Sequence, residues 1–215
     1  MNTKRKYEFK SIDGLTTWLI RILRLSAFLY ALWIVFSVLH FLIPYPLDDE
    51  FELFVSLSDT TGIPILLLFL LTIPLFGVWI VRANKNVRAL GARELSMSPG
   101  WALGYFFVPI LNLWKPKTAM DQLWFASHNP STWNGNQKEN SQVVNKWWGL
   151  WLASLALSNI ETNYLNKAVT VEDYNQAMLF GIVASICSIL SCKSAVALVD
   201  KISTLQTEIF DENKS

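Results

Sequence analysis

Two stretches of 19 residues, Leu25–Ile43 and Ile63–Val81, contain no Asp, Glu, Lys or Arg. As helices each reaches about 28 Å at ~1.5 Å per residue, close to the ~30 Å hydrocarbon core of a bilayer. A helix at the surface of a soluble protein keeps one polar face for water, and neither stretch has one. The chain is therefore expected to be an all-α membrane protein. Composition agrees: 16% of the residues are charged, against about 25% in soluble domains. The first block is longer than the ~7–15 residues of a signal-peptide core and is followed by Pro44-Tyr45-Pro46 rather than a small-x-small cleavage site, so it reads as a retained anchor.

Two further apolar blocks, 147–165 and 174–192, bring the expected number of spans to four. Residues 1–24 form a basic N-terminal segment, 25–199 the membrane domain and 200–215 a helical tail. The spacing of Ile12, Leu15, Leu19 and Ile22 suits either an interfacial helix or simply the beginning of the first span. Arg82 to Arg93 is basic and amphipathic, with Ala83, Val87 and Leu90 on one face, and is expected to lie along lipid headgroups.

Residues 100–127 break the pattern. Gly100–Trp114 is apolar but short, and Pro109 and Pro116 each remove a backbone donor and should bend a helix. This segment reads as a kinked span or as a re-entrant or interfacial one. Basic residues favour the second reading. If 100–127 does not cross, 17 of the 18 Lys and Arg fall on one side, leaving Lys167 on the other, while the acidic 44–62 loop lies outside. By the positive-inside rule both ends and 82–146 are then cytoplasmic, in a cell (inner) membrane. Trp18, Trp79, Trp101, Trp114, Trp124, Trp147 and Trp148 cluster near the expected interfaces.

Lipid supplies no hydrophobic drive for helix association, so small residues mark packing seams. The fourth block offers Ala177, Gly181, Ala184, Ser185, Ser188, Cys192 and Ala195, and the third offers Gly149, Ala153 and Ala156. Gly100-x-x-x-Gly104 is a further helix-packing pattern. Beyond the membrane, Ala195, Leu198, Ile202, Leu205 and Ile209 form a two-heptad seam, for packing on the protein itself or for a dimer contact.

No nucleotide-binding loop, GxSxG elbow, HExxH or paired-carboxylate arrangement occurs. Two Cys on one helix and two isolated His offer no metal cluster, and no cofactor is expected. The candidate functional or structural motif is Arg82, Asn84, Asn86, Arg88, Pro109, Asn112, Lys115 and Pro116, with Lys117 and Asp121 beside the prolines. Asn112 is expected to face protein and to bond backbone groups that the prolines free. His40 and Glu161 are intramembrane candidates near the outer face, weighed against plain solvation in the headgroup region.

The run Phe76-x-x-Trp79-x-x-Arg-Ala-Asn-Lys-Asn-Val-Arg-Ala-Leu-Gly91, then Ser98-Pro-Gly-Trp101, then Phe107-Val-Pro-Ile-Leu-Asn-Leu-Trp-Lys-Pro116, resembles a bacterial membrane family known as domain of unknown function 4328. The resemblance implies a multi-pass bacterial membrane protein and brings no catalytic residue or substrate.

Two functions are expected from these features. The first is a non-enzymatic module that binds lipid or a partner through its basic cytoplasmic surface and broken segment. The alternative is a small oligomeric transporter or channel using 100–127. The partners in view are the lipid bilayer and either a second copy or another membrane protein, and nothing points to nucleic acid.

Overall fold

The computed structural model describes residues 7–42, 48–135 and 141–214, and for His40 and residues 48–59 the backbone alone. All regular structure among them is helical: α1 (Asp13–Leu42), α2 (Asp48–Ala89), α3 (Pro99–Gly104), α4 (Lys115–His128), α5 (Gln142–Leu165) and α6 (Val171–Glu212), with 3₁₀ turns at Tyr105–Phe107 and Leu111–Leu113. Three helices are long and apolar enough to cross a membrane, over Asp13–Leu39, Thr60–Ala89 and Val171–Glu212. The expected third span is helical, as part of α5, but is not among them. Its last third is polar, and Asn159 and Asn163 turn their amides back onto Leu155 O and Asn159 O, both at 2.8 Å.

α2 and α6 have 42 residues each. At ~1.5 Å per residue that is about 63 Å, twice the hydrocarbon thickness, so each helix runs well past its apolar block. The basic stretch from Arg82 is thus the end of α2 rather than a separate surface helix. Ala83 and Val87 are fully buried in protein, which leaves no apolar face for lipid. The helix stops at Gly91, whose φ of +122° suits glycine. Gly91 N–H bonds Arg88 O at 3.2 Å and Ala92 N–H bonds Val87 O at 3.1 Å, a Schellman cap.

The chain divides into two compact units. One comprises Ile22–Leu71 and Trp147–Lys193. In it, Ala177, Gly181, Ala184 and Ser185 are buried on one side of α6, while Leu179, Val183, Ile186 and Leu190 are exposed, as the small-residue spacing predicts. A Cβ at Gly181 would lie 2.6 Å from Trp33 Cη2 and would collide with the Glu161 carboxylate, so α1, α5 and α6 converge there. The expected α5 seam is different from the observed one. Gly149 and Ala156 are exposed, and a Cβ at Gly149 would meet nothing within 4 Å. α5 packs instead through Trp147, Trp148 and Ser154, and Ser191 Oγ of α6 donates to Trp147 O at 3.1 Å. Two buried indoles thus stand on α5 where the expected seam had only small residues.

The other unit takes the segments up to Arg21, Thr72–Lys146 and from Ser194 onward. Ile12, Leu19, Ile80, Met120, Leu123, Leu198 and Ile202 are among its fully buried side chains, so the C-terminal seam packs on the protein itself. α1 starts at Asp13 and runs on without interruption, with Ile12 and Leu19 buried, and among the described residues no distinct interfacial helix precedes it. Trp79, wholly buried, donates its Nε1–H to Thr16 Oγ1 at 3.0 Å.

Candidate functional site: a basic cleft at the end of α2

Pro74, Gly77, Val78, Val81, Arg82 and Lys85 recur three and four residues apart, which places them on one face of α2. That face lines a cleft of about 840 Å³. Leu103 and Phe107 from the broken segment, and Tyr7, Glu8 and Lys10 ahead of α1, complete the lining. Two devices hold these pieces. Gly77 lets α3 approach, since a Cβ there would stand 3.1 Å from both Leu103 methyls. Asn86, fully buried, grips the main chain of Lys10: its Oδ1 accepts from Lys10 N–H at 3.0 Å and its Nδ2–H donates to Lys10 O at 2.8 Å.

The cleft is cationic over an apolar floor. Lys10, Arg82 and Lys85 reach it, against the single carboxylate of Glu8. Among the described residues the head groups of these three cations make no hydrogen bond, ion pair or ring contact. Such unneutralised charge beside Val78, Val81 and Phe107 suits a ligand that is anionic at one end and apolar at the other.

The remaining motif residues are structural. Asn84 is buried and donates to Ile80 O of its own helix at 3.0 Å. Arg88 Nη2 bonds Met97 O, which ties the end of α2 to the loop before α3. Gln206 of α6, fully buried, donates to Ala83 O at 3.1 Å and Ser127 Oγ at 2.9 Å, joining α6, α2 and α4.

The broken segment is built differently from the sequence expectation. Ser98 caps α3, with Trp101 N–H on its Oγ at 3.4 Å and Pro99 in the first turn. Pro116 likewise sits in the first turn of α4, where a missing N–H leaves no bond unmade, so it starts a helix rather than bending one. The sharp reversal is a γ-turn centred on Ile110, at φ +67° and ψ −53°, with Leu111 N–H on Pro109 O at 2.8 Å. Asn112 contributes only its main-chain N–H, to Val108 O at 3.0 Å. Among the described residues its half-exposed carboxamide makes no hydrogen bond, so it does not fix the bend. Backbone bonds do that work.

The polar groups near the prolines do not converge. Lys115 Nζ lies 5.7 Å over the Tyr105 ring, while Lys117 pairs with Asp121 at 2.6 Å, and Asp121 Oδ1 accepts from Ser141 N–H at 3.0 Å. Phe107, Ile110, Leu113 and Trp114 are exposed at the reversal. The glycines at 100 and 104 are not a packing motif: a Cβ at Gly100 would meet nothing, and one at Gly104 would meet the adjacent Trp101 ring. Of the intramembrane candidates, Glu161 abuts Gly181, and the His40 side chain lies outside the described residues.

The motif drawn from the sequence left out Lys10, Gly77, Lys85 and Gln206. Gly77 had a signal, because it is one turn ahead of Val81 on the face that carries Lys85. Gln206 follows Val199 and Ser203 at helical spacing on the buried side of α6, where a polar side chain demands a partner.

Fold and site together define a helical protein with membrane-type helices and a basic cleft at the end of one of them. The chain belongs to the family described as Domain of unknown function (DUF4328), whose model matches residues 47–204. No curated protein and no solved structure matches the chain.

Proposed function

We propose that the protein is a non-enzymatic integral membrane module that binds anionic lipid on the cytoplasmic face of a bacterial inner membrane. Four crossings are part of this reading. The residues ahead of α1 and the end of α6 pack against each other, through the stacked rings of Phe9 and Phe210 and a hydrogen bond from Thr207 Oγ1 to Asp13 Oδ1 at 3.3 Å. Two chain segments on one side require an even number of crossings, and α5 supplies the fourth in spite of its polar last third. The 100–127 segment stays on that side, with Phe107, Ile110, Leu113 and Trp114 in the headgroup layer.

The observation that carries the function is the set of three cations, without a partner among the described residues, at the point where an apolar helix becomes basic. Lys and Arg at that level are attracted to an anionic leaflet by about 1 kcal/mol each. Thermal unfolding in phosphatidylcholine nanodiscs, with and without phosphatidylglycerol, tests the proposal. Stability should rise with the anionic lipid and the gain should shrink in high salt. Equal stability in both lipids contradicts the reading.

A further inference from the structure

Resting on that reading, we infer that the α2 cleft is a site for one anionic phospholipid, held by its phosphate and by the start of one acyl chain. General attraction to a charged leaflet needs only surface lysines. The cleft provides more: Arg82 and Lys85 are one turn apart on α2, and Lys10 is brought to them by the Asn86 clamp on its own main chain. None of the three is neutralised by the protein among the described residues. A guanidinium and two ammonium groups supply fork and point-charge donors suited to a phosphate diester.

The wall on the membrane side is apolar. Val78 and Val81 precede the cations along α2, and Phe107 adds an exposed aromatic ring. Leu103 closes the floor because Gly77 admits it. A soluble phosphate ester would leave that wall bare, whereas a phospholipid covers it while its phosphate reaches the cations. At about 840 Å³ the cleft holds a headgroup with the first part of a chain and not a whole lipid. The remaining chain then extends into the bilayer. Glu8 at the rim adds selectivity, as its carboxylate can accept from headgroup hydroxyls such as those of phosphatidylglycerol.

The test is native mass spectrometry of the intact protein released from vesicles of equal phosphatidylglycerol and phosphatidylcholine. Wild type should carry one phosphatidylglycerol. The Arg82→Gln, Lys85→Gln double variant should lose retention by roughly tenfold or more, given two charges removed. Lys146→Gln, at an exposed residue of α5 that does not line the cleft, should retain lipid as wild type does. Phe107→Ser keeps every cation and should still weaken retention, which separates a lipid from a free phosphate. Equal retention by wild type and the double variant, or equal uptake of the two lipids, overturns the site. Displacement of the lipid by millimolar glycerol 3-phosphate overturns the acyl contact. If nanodisc stability rises with phosphatidylglycerol as much in the double variant as in wild type, the cleft fails while the general anionic-lipid reading survives.

Discussion

The ring of Phe9 lies flat on the ring of Phe210, with centroids 3.9 Å apart and planes 12° from parallel. These residues stand just before α1 and near the end of α6, so the contact ties the start of the first apolar helix to the end of the last. A double-mutant cycle of Phe9→Ala and Phe210→Ala in detergent should give a coupling of about 1 kcal/mol, the usual worth of such a pair beyond its buried area. Additive losses would mean that the rings do not meet in solution.

Asn86 makes a prediction about the cleft rather than the core. Asn86→Ala removes both bonds to the Lys10 main chain and should cost about 2 kcal/mol. Tryptic cleavage after Lys10 should accelerate, because the segment loses its anchor. An unchanged cleavage rate contradicts the clamp.

Much of this was legible in the sequence, and the rest was hidden for physical reasons. The apolar blocks and the α6 seam follow from composition and from small residues at helical spacing, which act locally. The α5 contact could not be read the same way, since Trp147 and Trp148 were equally suited to an interface with lipid and to burial. The proline segment misled through position. A proline inside a helix bends it, but one in the first turn starts it, and only the location of the helix start distinguishes them. The cleft joins Lys10 to Lys85, 75 positions apart in the chain, by a main-chain clamp that no side-chain pattern encodes.

Gly181 supplies the sharpest packing contrast. Gly181→Leu drives bulk into Glu161 and Trp33 and should cost about 3 kcal/mol or more. Leu179→Ala trims an exposed side chain and should cost about 0.5 kcal/mol or less. Thermal unfolding in detergent compares them, and equal effects would remove the convergence of α1, α5 and α6 from the account.

The reversal at Ile110 predicts an inversion of the usual order. Ile110 is β-branched at positive φ, so Ile110→Gly should keep or raise stability by relieving strain of about 1 kcal/mol. Asn112→Leu should change stability by about 0.5 kcal/mol or less, because no side-chain bond is lost. If Asn112→Leu is the more damaging, the bend depends on the carboxamide and not on the γ-turn.

The topology is tested most directly by single-cysteine labelling in a background lacking Cys187 and Cys192. A cysteine at Lys167, in the short connection between α5 and α6, should react with a membrane-impermeant maleimide applied to intact cells. One at Ser131, exposed in the unit that carries the basic cleft, should react only after the membrane is opened. Labelling of Ser131→Cys from outside would contradict four crossings with the cleft on the cytoplasmic side.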